Sequence, residues 1–312
     1  MTHILITGAC GMIGRNLVAD LMARPGIRIT ATDLGNTGLA ADVPFVKMDV
    51  TGTDPHTVIA AARPDVIVHL ASIVTPPPGM GRQAAHAVDV VGTQNVLDAA
   101  IQHGVRRLVV TSSGAAYGYH PDNPIPLSET DPCRGNTEFA YADHKRQVEE
   151  MLQTARETHP ALEQVVLRVG TVLGEGTDNQ ITALFRKKRL LALTGSQSPF
   201  VFIWTKDLAR ILLRAATDGP AGVFNVAGDG AMGVTDLAEV LNKPILRLPA
   251  WALKVALAIA HPIGLSRYGP EQVRFLQYRP VLSNDALKSR FGYTPELTSR
   301  QVFELWARQA KL

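Results

Sequence analysis

The feature that most constrains the fold is a glycine-rich turn between a strand pattern and a helix pattern. Residues 3–7 form a short apolar run, three glycines follow it, and apolar residues then recur at helical spacing. Gly8 permits a tight turn, Gly11 lets the backbone approach a pyrophosphate, and Gly14 lets the helix pack closely on the strand. This order of strand, turn and helix predicts a dinucleotide-binding unit at the start of the chain.

An acidic residue at the end of the second apolar segment indicates which dinucleotide binds. Residues 27–32 form this segment, and it ends at Asp33, nineteen residues past Gly14. A carboxylate at this position binds the ribose 2′-hydroxyl and repels a 2′-phosphate. The helix N-terminus at Met12 and Ile13 faces the pyrophosphate. We therefore predict that the cofactor is NAD rather than NADP.

Strand-like and helix-like segments alternate through the first half of the chain. Strand patterns cover residues 27–32, 44–48, 66–70, 108–111 and 165–168, and helix patterns cover residues 55–62, 84–103 and 140–158. This alternation predicts an α/β fold with a doubly wound parallel Rossmann sheet. We expect residues 1–170 to form the NAD-binding domain, with later strands returning near 200–228. Residues 171–312 are expected to form a smaller C-terminal substrate-binding lobe.

The composition argues against several other classes of protein. The net charge is +3 with dispersed Lys and Arg, and the His and Cys residues are too scattered for a metal cluster. The two cysteines are poorly placed for a bridge, which favours a reducing compartment, and we expect no signal peptide. Residues 248–265 are apolar but contain two prolines, a lysine and a histidine, which is unfavourable for a membrane span. We predict a cytoplasmic protein with a small-molecule substrate and no metal, nucleic-acid or membrane partner.

Tyr141 and Lys145 are the strongest candidates for a catalytic pair. Residues four apart on a helix share one face, so this spacing places a phenol beside an ammonium. A free phenol has a pKa of about 10, and a neighbouring cation favours the phenolate. The pair can therefore exchange a proton with an alcohol as a general acid and base. Tyr117 has no lysine at this spacing, and we expect it to pack near the substrate instead.

Several further motifs carry a resemblance to a known family. In chain order they are Asp49-Val50, His69-Leu70-Ala71-Ser72, Val91-Gly92-Thr93-Gln94-Asn95-Val96-Leu97, Thr111-Ser112-Ser113-Gly114-Ala115-Ala116-Tyr117-Gly118 and Leu167-Arg168-Val169-Gly170-Thr171-Val172-Leu173-Gly174. Together with the glycine turn, Asp33 and the Tyr141/Lys145 pair, they resemble the extended short-chain dehydrogenase/reductases, the NAD-dependent epimerase/dehydratase family. The resemblance covers roughly residues 3–230.

The resemblance implies roles for individual residues. The catalytic set would be Ser113, Tyr141 and Lys145. The cofactor contacts would be Gly8, Gly11, Met12, Ile13, Gly14, Asp33, Asp49, Val50, Leu70, Ala71, Ser72, Thr111, Tyr141, Lys145 and Val172. The substrate contacts would be Ser72, Ser113, Gly114, Tyr141, Thr171 and Phe200. A homodimer through helices 84–103 and 140–158 is also implied, with an apolar stripe at Ala84, Ala87, Val88 and Val91.

Three departures from the family pattern stand out, and two of them bear on the substrate. Family members that act on nucleotide sugars place an arginine where this chain has Phe200 and an asparagine where it has Thr171, and a further asparagine is Asp89 here. A diphosphate needs fixed cations, which an aromatic ring does not provide. Spacing alone does not place Arg274 or Arg279 near the site. We therefore predict hydride transfer at a secondary alcohol or ketone of a small substrate, either a non-nucleotide sugar or an apolar molecule.

Other functions stay open at this point. A nucleotide-sugar epimerase with tightly bound NAD is the alternative, because the same residues can oxidise and re-reduce one carbon. A dehydratase is less favoured, because Gly114 and Ala115 follow Ser113 where dehydratases of the family carry acidic residues. A non-catalytic NAD-binding regulator would be expected to lack Tyr141 or Lys145, and both are present.

Overall fold

A computed structural model describes residues 1–77, 79–266 and 269–312, and its centre is a parallel sheet. The described strands are β1 (Thr2–Thr7), β2 (Ile27–Asp33), β3 (Phe45–Lys47), β4 (Val66–His69), β5 (Arg107–Ser113), β6 (Glu163–Val169), β7 (Thr171–Leu173), β8 (Leu190–Leu193), β9 (Phe202–Trp204), β10 (Gly222–Val226) and β11 (Ile245–Leu248). Seven of them pair in the order β10-β6-β5-β4-β1-β2-β3, all in parallel. The predicted doubly wound parallel sheet is confirmed.

Helices cover the faces of this sheet and build much of the C-terminal part. The described helices are α1 (Met12–Met22), α2 (Asp54–Ala62), α3 (Arg82–His86), α4 (Gly92–Gln102), α5 (Ala140–Thr158), α6 (Gln180–Phe185), α7 (Thr205–Ala216), α8 (Val234–Leu241), α9 (Ala250–Ala260), α10 (Gln272–Gln277), α11 (Asp285–Ser289) and α12 (Ser299–Gln309). A π-helical turn at Ala87–Val91 joins α3 to α4, and a 3₁₀ turn at Gly114–Tyr117 follows β5. The helix predicted over 84–103 therefore contains one wide turn, and this turn holds the buried Asp89.

The two later strand patterns join different sheets. Strand β10 pairs with β6 and extends the central sheet, whereas β9 pairs with β7 in a separate two-stranded sheet. Strands β8 and β11 form a further parallel pair. Strand β10 lies at the edge of the central sheet. The domain boundary expected near residue 170, with later segments returning near 200–228, stays a prediction.

Buried apolar side chains fill both faces of the central sheet. On one face, Leu17 of α1 and Ile211 of α7 pack against the strands. On the other face, Val96 of α4 and Leu152 of α5 do so. A third cluster is formed by side chains of β9, α8 and α12, all within residues 171–312. Within the described ranges, no helix is long and apolar enough to cross a membrane.

A buried ion pair fastens α5 to the sheet. Arg168 of β6 donates from Nε and Nη2 to the two carboxylate oxygens of Glu149, each at 3.0 Å. Its Nη1 donates to the Tyr117 hydroxyl at 2.8 Å and to the Glu129 carbonyl at 3.0 Å. The side chains of Arg168 and Glu149 are only 8% and 3% exposed. Because α5 also carries Tyr141, this pair sets the position of the candidate catalytic helix.

We predict that Glu149→Gln lowers the free energy of unfolding by about 3–5 kcal/mol, because the Arg168 charge would stay buried without its partner. Urea unfolding followed by circular dichroism measures the loss. The matched control is Glu150→Gln, one residue further along α5, where Glu150 forms an exposed pair with Arg146 at 2.6 Å. That change should cost only about 0.3–0.5 kcal/mol. Equal losses in the two variants would contradict the role given to Arg168.

Candidate active site

The glycine turn lies at the carboxyl end of β1 and touches the segment that follows β4. Gly8 has a φ of +64°, and a Cβ on it would lie 2.7 Å from the Ala71 nitrogen and 2.8 Å from the Leu70 carbonyl carbon. A Cβ on Gly14 would overlap the Gly8 carbonyl oxygen. Side chains are excluded at both positions, so the turn and α1 sit close against the sheet.

The N-terminus of α1 is open to an anion. The helix begins at Met12, Gly11 provides no side-chain cap, and the first turn has no acidic residue. The unpaired N–H groups and the positive end of the helix dipole therefore favour a negative group. Nearby, the Asp33 carboxylate accepts hydrogen bonds from Cys10 N at 3.0 Å and Leu34 N at 2.8 Å. The turn and this carboxylate fit the pyrophosphate and ribose of a dinucleotide.

Asp49 and Val50 lie just beyond β3, at the same end of the sheet. Asp49 Oδ1 accepts hydrogen bonds from the Thr51 nitrogen at 2.9 Å and the Thr51 hydroxyl at 2.8 Å, which fixes the local turn. Val50 packs so closely on Gly92 that an added Cβ would lie 2.6 Å from Val50 Cγ2. Both predicted contact residues are therefore anchored at the carboxyl end of the parallel strands.

Ser113, Tyr141 and Lys145 come together where β5 ends and α5 begins. Lys145 Nζ donates to the Thr111 carbonyl at 3.0 Å and lies 5.7 Å from the centroid of the Tyr141 ring. The Ser113 hydroxyl accepts a hydrogen bond from Ala115 N at 3.1 Å, which orients it at the start of the 3₁₀ turn. It also lies near enough to the Tyr141 phenol to lower the pKa of that group.

Burial dominates the ionisation of the Tyr141/Lys145 pair. It raises the pKa of Tyr141 to about 12, with Ser113 acting in the opposite direction and Asp89 in the same direction. Burial also lowers the pKa of Lys145, while Asp89 and Glu149 act to raise it. The isolated protein therefore holds Tyr141 as a neutral phenol near pH 7. An additional positive charge is needed beside it before it can become a base.

His69 is a structural residue rather than a catalyst. Its Nδ1 lies 2.7 Å from the Thr7 hydroxyl and its Nε2 lies 3.0 Å from the Thr93 hydroxyl. Thr93 donates its own proton to the Asp89 carbonyl at 2.6 Å, so it accepts from Nε2, and Thr7 donates to Nδ1. Burial, together with the charge of Lys145, lowers the pKa of His69 to about 3. The neutral ring ties β1 and β4 to α4.

Asp89 and His144 form a buried pair, and His144 is the residue before Lys145 on α5. Asp89 Oδ2 lies 3.0 Å from His144 Nδ1, and its Oδ1 accepts from the Ser72 hydroxyl at 2.8 Å and from Ile73 N at 2.7 Å. This pair fixes the segment after β4, so the Ser72 hydroxyl is engaged by Asp89. The sequence marked Asp89 as unusual, because the family pattern has an asparagine at this position. Nothing in the sequence around either residue identified His144 as its partner.

Arg279 supplies a cation beside Phe200. The Phe200 ring is buried in the lobe core, and the Arg279 guanidinium carbon lies 3.7 Å from its centroid. Arg279 Nη1 donates to the Ser198 carbonyl at 2.9 Å, while its buried Nε has no partner among the described residues. Burial lowers the pKa of Arg279 to about 9, which leaves it charged at neutral pH. The Arg279 guanidinium also lies 5.3 Å from the Phe275 ring, and that ring lies 5.3 Å from the ring of Tyr119.

The other predicted site residues lie on neighbouring elements, and the structure shows mainly how they pack. Gly114 is buried against Leu282, where an added Cβ would be 3.2 Å from the leucine side chain. Thr171 and Val172 lie in β7, with Val172 packed on the core, and Ile13 packs on the same core. Tyr117 is fully buried, and its hydroxyl donates to the Asn225 amide oxygen at 2.8 Å; its place next to the substrate stays a prediction. Among the residues that the structure describes, no group of three His, Cys, Asp or Glu side chains is placed to hold a metal ion.

Comparison with known proteins decides the family. The model of the NAD dependent epimerase/dehydratase family matches residues 4–227 of the chain. The chain belongs to this family. NAD is therefore its cofactor, and the open N-terminus of α1 with Asp33 beside it provides the groups that would hold the pyrophosphate and the ribose.

Individual members of the family differ in how much of the chain they match. A Mycobacterium tuberculosis protein described only as uncharacterized is 26% identical over 98% of this chain and 83% of its own length. UDP-glucose 4-epimerase of Mycolicibacterium smegmatis is 35% identical, but over 44% of this chain and 46% of that protein. The crystal structure of Thermotoga maritima UDP-glucose 4-epimerase with UDP-glucose superposes with a TM-score of 0.76 at 19% identity, over 99% of both chains. At that identity the likeness shows the fold.

We predict that the wild-type protein binds NAD at least about tenfold more tightly than NADP, and that Asp33→Asn reduces this difference. The carboxylate repels a 2′-phosphate, whereas the neutral amide does not. Calorimetric titration with each dinucleotide measures the two affinities. Asp20→Asn, on the exposed side of α1, is the charge-matched control and should keep the wild-type preference. Equal NAD and NADP affinities in the wild-type protein would refute the role of Asp33.

Proposed function

We propose that this protein is an NAD-dependent oxidoreductase that transfers a hydride at a secondary alcohol or ketone carbon of a small substrate. The observation that carries this proposal is the meeting of Ser113, Tyr141 and Lys145 at the end of β5. Lys145 is buried, is fixed by the Thr111 carbonyl and lies 5.7 Å from the Tyr141 ring centroid. Such an arrangement supports proton transfer to and from the oxygen of the reacting carbon.

Each of the three residues has a distinct task in the proposed reaction. The chemistry that NAD supplies when bound is acceptance of a hydride in one direction and its return in the other. Tyr141 takes the hydroxyl proton during oxidation and gives it back during reduction. Ser113 donates a hydrogen bond to the substrate oxygen as charge develops there. Burial raises the pKa of Tyr141 to about 12 with Lys145 already beside it, so Lys145 and the positive charge of an oxidised nicotinamide ring would together favour the phenolate form.

The expected effect of Tyr141→Phe is a fall in kcat of roughly 10²–10⁴-fold with NAD binding retained, because only the exchangeable proton is lost. A panel of secondary alcohols, with NADH formation followed by absorbance, identifies a substrate and then measures the loss. Tyr293→Phe is the matched control, since the Tyr293 hydroxyl donates to Asp207 of α7 at 2.6 Å, away from the candidate catalytic residues. Wild-type turnover in Tyr141→Phe would remove Tyr141 as the acid and base.

The proposed substrate carries at most one anionic group. Phe200 stands where nucleotide-sugar enzymes of the family place arginine, and the cation next to it, Arg279, already gives one end of its guanidinium to the Ser198 carbonyl. Arg274, on the short helix before Arg279, forms an exposed ion pair with Glu138 at 3.1 Å. One half-engaged guanidinium suits a single carboxylate or phosphate, or a neutral sugar, better than a diphosphate.

A nucleotide-sugar epimerase is the second candidate, and Arg279 is the observation that favours it. Its guanidinium lies over the ring of Phe200, which replaces the expected arginine. Arg279 therefore brings a positive charge to the place where that arginine would be. The similarity to UDP-glucose 4-epimerases in sequence and fold agrees with this reading. Net NADH formation with alcohols supports the first candidate, and interconversion of sugar nucleotides without net NADH supports the second. Binding of NAD without turnover across a broad panel would support a non-catalytic regulator.

We predict that UDP and UDP-sugars bind the NAD-loaded protein no better than about millimolar, because a diphosphate loses hydration without enough fixed cations to replace it. Calorimetric titration measures this affinity. Micromolar binding that is lost in Arg279→Gln but kept in Arg274→Gln would contradict the prediction and make the epimerase the better proposal. Arg274 serves as the control because it lies five residues away and is already ion-paired.

The proposed assembly is a homodimer through α3, α4 and α5. Of the apolar stripe in this region, Ala84 and Val91 are exposed, whereas Ala87 and Val88 are half-buried. A symmetric contact between two copies would cover these side chains.

A further inference from the structure

Helix α9 exposes an unusual amount of apolar surface. The apolar side chains on it and in the residues after it have large exposed fractions: Trp251 72%, Val255 52%, Ile259 63%, Ile263 64% and Leu265 80%. None of the helix residues is buried. Scattered apolar residues are normal on a protein surface, but a contiguous group of this kind marks a place where something binds.

The exposed residues of α9 lie on a single face. Trp251, Val255 and Ile259 follow each other at four-residue spacing, so they form one stripe along the helix. Leu253 and Leu257 lie on the opposite side and are half-buried, where α9 packs on α10. The helix is thus attached by its inner face, and its outer face has no covering element in the described parts of the protein.

The sequence segment that contains the stripe carries charge of one sign. Between Glu239 and Glu271 the sequence contains no Asp or Glu. Arg247, in the strand before α9, and Lys254, at the edge of the stripe, are both exposed, and no described carboxylate lies within ion-pair distance of either. An apolar stripe with a cationic border complements a surface that is apolar below and anionic above.

We propose that the outer face of α9, with Ile263 and Leu265, docks on the surface of a bilayer that contains anionic phospholipids. The apolar side chains enter the boundary between head groups and acyl chains, and Trp251 occupies the interfacial level that tryptophan prefers. Arg247 and Lys254 contact lipid phosphates. The expectation of no membrane partner rested on the lack of a spanning segment, and docking on a surface needs none.

A second copy of this chain fits the same face less well. A symmetric dimer places the same patch of both subunits in contact, so the cations that border the stripe would face cations across the interface. Residues 240–266 contain no Asp or Glu that could form ion pairs with these cations across such an interface. Charge complementarity therefore favours an anionic lipid surface over self-association through α9.

The test is co-sedimentation of the full-length protein with phosphatidylglycerol-containing vesicles and with pure phosphatidylcholine vesicles. We expect binding to the anionic vesicles that weakens as salt is added, together with a blue shift in tryptophan emission. Trp251 should dominate that shift, since Trp306 is 2% exposed and Trp204 is half-buried. Ile259→Asp and, separately, Lys254→Glu should each weaken vesicle binding at least about tenfold.

The control variant is Met22→Asp, which changes an exposed apolar residue at the end of α1 and should bind vesicles as the wild type does. NAD binding by each variant confirms that it is folded. No binding of the wild type to anionic vesicles, or equal binding by Ile259→Asp, would overturn the proposal. Equal binding to both kinds of vesicle would also overturn it. So would an oligomer, seen by light scattering, that Ile259→Asp dissociates, because the face would then be an interface between copies.

Discussion

The burial of charge along α5 determines how the candidate site is built. Four ionisable side chains of this helix face the interior, namely Asp143, His144, Lys145 and Glu149. Three have a charged or titratable partner: Asp143 pairs with Arg82 and Arg146, His144 with Asp89, and Glu149 with Arg168. Lys145 alone has no carboxylate within ion-pair distance in the described chain, and its Nζ is held by the Thr111 carbonyl. Buried cations are costly when unpaired, so an unpaired one beside Tyr141 indicates function more than stability.

The parts of the site that the sequence could predict are those whose geometry is local. Tyr141 and Lys145 share a face because of their spacing on one helix, and Gly8 and Gly14 are required by contacts within one strand–turn–helix unit. The parallel sheet could also be predicted, because strand and helix patterns alternate along the first half of the sequence. The ends of the helices and strands were less predictable. The π-helical turn around Asp89 could not be predicted, because the apolar residues of 84–103 follow ordinary helical spacing.

The parts that the sequence could not place depend on tertiary packing. Arg279 lies over Phe200 although seventy-nine residues separate them, and His144 meets Asp89 across fifty-five residues. The hydroxyl of Tyr117 is held in the interior by the Arg168 guanidinium and the Asn225 amide, two contacts that its motif does not encode. No spacing rule encodes such contacts, since they depend on how strands and lobes are arranged in space. For the same reason, the loss of an arginine at position 200 in the sequence does not mean the loss of a cation at that place.

The lobe connects the apolar face of α9 to the candidate site through one short helix. Helix α10 packs on α9, and its Phe275 ring lies 5.3 Å from both the Tyr119 ring and the Arg279 guanidinium. Direct contacts therefore run from α9 through α10 to Tyr119 and Arg279. This arrangement joins the two proposals physically: a membrane-docked α9 would hold the substrate end of the site near the lipid surface. The proposed substrate, which carries at most one anionic group to match the half-engaged Arg279, is compatible with an enzyme that docks on a lipid surface through the α9 stripe.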